Sequence, residues 1–81
     1  MSVSYQRKIE VVSNYIVNEF IRFCVKDDAE YNEDAVQYMY RNFDNLPKKV
    51  IKDKKFEPHI VNQSAPKAKE IIFEQFAEFL I

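Results

Sequence analysis

YQRKIEVVSNYIVNEFIRFCV, residues 5–25, is the longest stretch in which a helical repeat runs without a Gly or Pro to interrupt it. At 100° per residue, Tyr5, Ile9, Val12, Ile16, Phe20 and Phe23 fall within one arc of about 80°, the spacing of a core-facing stripe. Arg7, Asn14, Asn18 and Arg22 gather opposite, as a solvated face does. That polar side is narrow, because Val11, Ile21 and Val25 lie within or beside it and Val17 and Cys24 sit on the flank. A helix apolar around most of its circumference calls for contact from more than one direction. It is either the central member of a small bundle or a contributor to an interface. Ser2 or Ser4 supplies a cap, and Asp27 and Asp28 place the end near Lys26, since carboxylates are unfavourable beside the negative pole of a helix.

Working outward, the 81 residues make one domain, 1–81, near the size at which a single core is only just sufficient. A stability of about 4–12 kcal/mol follows from typical per-residue values, so association with a partner bears on folding as well as on function. Glycine is absent, which removes Gly-rich phosphate loops and most tight hairpins, and with them the nucleotide-enzyme and β-rich classes. A single cysteine, Cys24, forms no internal disulfide and reads as a reduced, buried thiol. No apolar run reaches the roughly 18 residues of a spanning helix, and the N-terminus lacks a signal-peptide layout. The expected setting is the cytoplasm, or the host cytoplasm if the protein is viral, with no membrane partner. Lys, Asn, Ile, Phe and Tyr together supply 35 residues, a bias towards A/T-rich codons that suits a low-GC bacterium, its phage or an archaeal virus.

Charge is uneven along the chain. Residues 1–45 hold five basic and eight acidic groups, residues 46–81 seven basic and five acidic, which makes a dipole and not a polybasic binder. Five carboxylates crowd residues 27–34. They read as a connection and a helix start, with Asn32 or Asp28 as cap and Glu33 and Asp34 in the favourable first turn, because a calcium loop would need a Gly and a twelfth-position acid.

The second helix is predicted from about Glu33 to Phe43, with Val36, Met39, Tyr40 and Phe43 inward. Opposite them Tyr31, Asp34, Tyr38 and Arg41 form a stripe of residue types that dominate binding hot spots, and this is the candidate protein-binding surface. Asn45 and Pro47 restart the chain into a short third helix over Pro47 to Lys54, with Leu46, Val50 and Ile51 inward, either separate or a kinked continuation of the second. Lys48, Lys49, Lys52, Lys54 and Lys55 form the one concentrated basic patch, the candidate phosphate-contacting surface of an alternative, nucleic-acid-associated reading.

Glu57-Pro58 disfavours helix, so residues 56–63 are expected to be irregular, with Phe56 and Ile60 tucked in. His59 has no second histidine or nearby cysteine to form a zinc or nucleophile site. The last helix is predicted to open at Ser64 as cap with Pro66 in its first turn and to run to the end of the chain. Ala65, Ala68, Ile72, Phe76 and Phe79 face inward, while Glu70, Glu74 and Glu78 face water.

The expected fold is all-α, a small irregular bundle of three to four helices in which long N- and C-terminal helices enclose a short central pair. No catalytic constellation, metal site or cofactor site is encoded by any nameable spacing. The function predicted is a small non-enzymatic regulatory or inhibitory protein that binds a larger protein, of the kind a phage or mobile element directs at a host factor. A homodimer through Val11, Ile21, Val25 and Ile81 is a further expectation.

Overall fold

With no Gly or Pro over residues 5–24, nothing stops a helix once started. The computed structural model, which describes residues 4–25 and 30–81, forms it without interruption as α1 (Tyr5–Cys24). The Ser4 side chain accepts the Arg7 N–H at 3.2 Å, satisfying one donor of the first turn. The readings placed on Ser2, Lys26, Asp27 and Asp28 lie outside the described residues. Val25 leaves the helix extended and bridges to Tyr31, and the Asn32 N–H donates to the Cys24 carbonyl at 2.8 Å.

Asn32 then caps α2 (Glu33–Arg41) by accepting the Ala35 N–H at 3.1 Å, with Glu33 and Asp34 at the positive pole. A turn over residues 42–44 separates α2 from α3 (Asn45–Lys52), so the two are distinct helices. Asp44, not Asn45, is the residue before α3, and its side chain makes no cap bond. The reason is local: the N–H groups of Asn45 and Leu46 already donate to the carbonyls of Asn42 and Phe43, and Pro47 has none to offer.

The expectation for residues 56–66 requires correction. α4 (Pro58–Gln75) starts six residues before Ser64, with Glu57 extended as its N-cap and Pro58 in the first turn. Pro66 lies in the helix interior. Ser64 is buried and does not cap; its hydroxyl donates to the Ile60 carbonyl at 2.7 Å. Packing of Ile60 and Val61, both buried against α1 neighbours in the core, outweighs the local cost of the second proline. The helix also ends early, at Phe76, and a short α5 (Ala77–Leu80) follows.

The most extensive contact joins α1 to α4. Ser13 donates to the Ser64 carbonyl at 3.2 Å, and the rings of Phe20 and Phe76 lie 5.5 Å apart, so the two helices run in the same sense. α2 and α3 return along them in the opposite sense: Gln37 meets Phe79, Tyr40 meets Phe73, and Lys49 meets Glu19. The short pair is thus laid against two long helices that touch each other, and is not enclosed between them.

The core gathers Val12, Ile16, Phe20, Val36, Val61 and Ile72 with their neighbours. Within α1 the inward arc is wider than predicted. Val17 and Cys24 are buried from the flank, whereas Tyr5 and Phe23, at the two ends of the helix, are each 49 % exposed. Neighbours approaching from both sides cover the flank positions, Cys24 in the last turn included, but leave Tyr5 and Phe23 half exposed. No described helix is long and apolar enough to cross a membrane.

Candidate protein-binding face

Three of the four residues in the predicted binding stripe share the outer side of α2. Asp34, Tyr38 and Arg41 stand at i, i+4 and i+7 and are exposed, Tyr38 to 63 %. Tyr31 does not join them on the helix. It precedes the Asn32 cap, and its ring sits edge-on to Phe76 with centroids 4.9 Å apart.

A second element completes the face. Gln37 Nε2 donates to the Phe79 carbonyl at 3.0 Å, pinning α5 to α2. Around that bond Gln37, Tyr40, Arg41, Phe79, Leu80 and Ile81 line a depression of about 350 Å³. Ile81 is 93 % exposed at its edge, and Arg41 forms no ion pair among the described residues. The exposed Tyr38 phenol thus stands one turn before Arg41 on α2, and the Arg41 guanidinium in turn borders the exposed aliphatic carbon of Ile81. Gln37 has no signal of its own in the sequence; Leu80 is legible as part of an apolar end that needs to dock, but its place beside α2 follows only from the break at Phe76.

The four residues expected to self-associate are not all in one place. Val11 is 50 % and Val25 42 % exposed along α1 and its exit, while Ile21 is half-buried against the core. Ile81 lies beside Arg41 instead.

The five lysines of the basic segment diverge. Lys49 turns to α1, where its Nζ lies 3.2 Å from Glu19 Oε1 and 5.3 Å from the centre of the Phe23 ring. Lys55 also turns to α1, with its Nζ 5.3 Å from the centre of the Tyr15 ring. Lys48 faces α4 in a depression shared with Pro66 and Lys69. Lys52 and Lys54 are exposed.

Glu19, a buried acid that the sequence analysis does not single out, organises this side. Its carboxylate receives Arg22 at 2.8 Å and Lys49 at 3.2 Å. Burial opposes its charge, but the Lys49 hydrogen bond, the charges of Arg22 and Lys49, and the Arg22 hydrogen bond together hold the carboxyl below its ordinary value. A trace was present in the sequence: Glu19 stands three residues before Arg22 at the border of the apolar arc.

Cys24 is buried, and burial pushes its thiol up to about 11, far from a reactive thiolate. His59 is exposed at the start of α4, its Nε2 3.4 Å from Glu57 Oε2, a contact that is ionic only when the imidazole is protonated. Among the described residues no group of three or more His, Cys, Asp or Glu side chains is placed to hold a metal ion. Comparison with protein-family models, with curated proteins and with solved structures finds no match.

Proposed function

We propose that this chain is a small non-enzymatic regulatory or inhibitory protein that works by binding a larger protein, using the outer face of α2 and the adjoining α5. The observation that carries this reading is Arg41, which shares the outer face of α2 with Tyr38, 63 % exposed, and borders Ile81 at the end of α5, the two helices being pinned together by the Gln37 bond. Tyr and Arg are enriched among residues that dominate binding energy, and an anchor set held on helices loses little freedom on docking.

The test is affinity. Tyr38→Ala and Arg41→Ala should each weaken the complex about 30-fold, the equivalent of about 2 kcal/mol per hot spot, with little change on adding salt. A partner that binds both variants as it binds the natural chain removes this surface from consideration.

The second reading, a nucleic-acid-associated factor, draws on the exposed segment Lys48, Lys49, Lys52, Lys54 and Lys55, of which Lys48, Lys52 and Lys54 make no contact with an α1 side chain. Three phosphate contacts would give a logarithmic salt slope of about −2.7. A gel shift at low salt without a retarded species eliminates it.

A further inference from the structure

The turn between α3 and α4 builds something the binding face does not use. Lys54 adopts φ 60°, a left-handed conformation that only Gly takes without cost, and the chain has no Gly to place there. That turn aims the next two residues at α1. Tyr15 receives both: the Phe56 ring meets it edge-on at 5.1 Å, and the Lys55 ammonium lies 5.3 Å from its centre. Beside this bracket Val11, half exposed, with Phe56 and Ile60, forms an apolar cup of about 300 Å³ whose rim carries Lys8 and Lys55. Glu57 is the one acid on that rim, and its carboxylate is turned to His59 at 3.4 Å.

We propose that this cup is a second docking surface, which takes an acidic segment of a partner protein carrying an apolar anchor side chain. Two positions argue for that occupant. The floor offers aliphatic and aromatic carbon to an anchor, and the two ammonium groups are complementary to carboxylates flanking it. The cup is remote from the α2 and α5 face: from Ile60 to Gln75, α4 spans about 22 Å. The two surfaces therefore stand or fall separately.

The experiment is a titration of the full methyl-labelled chain, followed by NMR, with three hexapeptides: acetyl-EDLFDE-amide, acetyl-KKLFKK-amide and acetyl-EDSSDE-amide. The first should shift the Val11 methyls and the Ile60 methyls saturably, and the other two should bind at least tenfold more weakly. Lys8→Glu with Lys55→Glu should abolish the response. Val11→Asp, at a half-exposed site that leaves the core intact, should do the same with an unchanged circular-dichroism spectrum. Tyr38→Ala should leave it unaltered. The proposal is overturned if the acidic peptide leaves Val11 and Ile60 unmoved, if the lysine peptide binds as well, or if the shifts centre on Tyr38 and Arg41.

Discussion

Lys54 carries a backbone cost that can be recovered. It is the residue after the α3 C-cap, its N–H donates to the Ile51 carbonyl at 3.0 Å, and its φ of 60° is the conformation in which helices usually place Gly. A non-Gly residue there costs about 1–2 kcal/mol, part of which Gly returns through its larger unfolded-state entropy. Lys54→Gly should therefore stabilise the protein by about 0.5–1 kcal/mol, a rise in melting temperature of about 2–8 °C for a domain of this size. A fall on thermal unfolding would show that the turn is not strained. Glu19 makes the complementary prediction in pH. Because its folded pKa lies below the ordinary 4.5, its contribution is complete above that value and drains away as pH falls through the folded pKa. Its partners are largely exposed and rehydrate when released, so Glu19→Gln should cost about 1–2 kcal/mol at pH 7. Urea unfolding at pH 7, 5 and 3 should show that difference shrinking with acid. A difference that stays constant would mean the carboxylate is no better stabilised folded than unfolded.

Among the elements, α4 shows both what a sequence conveys and what it conceals. Pro58 in a first turn and Pro66 in an interior leave similar local marks, and a Ser two residues before a Pro looks like a cap. Only the partner helix separates the cases: Ser64 meets Ser13, and Ile60 and Val61 need α1 to bury them. By contrast α1 was legible almost to its ends, since nothing in it competes with the helix, and so were the inward faces of α2 and α3, where Val36, Leu46 and Val50 are buried. The binding stripe was legible as far as one helix extends. Asp34, Tyr38 and Arg41 follow from periodicity, while Tyr31, Gln37 and Leu80 depend on turns whose geometry no periodicity encodes. Two substitutions test the α4 account. Pro66→Ala restores a donor to the Asn62 carbonyl, and because Ala loses more entropy on folding than Pro, the net gain should be about 1–2 kcal/mol. Ser13→Leu inserts three carbons where α1 and α4 meet through hydroxyl and carbonyl, and should cost about 3 kcal/mol. Denaturant midpoints check both, and a neutral Ser13→Leu would place the helices farther apart than described.

At the scale of the whole molecule the Cα trace extends 41 × 23 × 23 Å, and its apolar surface is unevenly covered. Val11, Val25, Tyr38 and Ile81 are exposed while the core beneath them is closed. The proposed function reserves part of this surface for another protein, and the alternative expectation is a contact between copies. Light scattering over a hundredfold concentration range distinguishes these, since a two-fold contact through Val11, Ile21 and Val25 would raise the mass with concentration. The central claim, that the α2 and α5 face binds a larger protein, is tested most directly by capture from extracts of the source organism with the natural chain and with Tyr38→Ala/Arg41→Ala in parallel. The account predicts one protein retained stoichiometrically by the natural chain at both low and high salt and lost with the double variant. Identical captured proteins on both baits would contradict it.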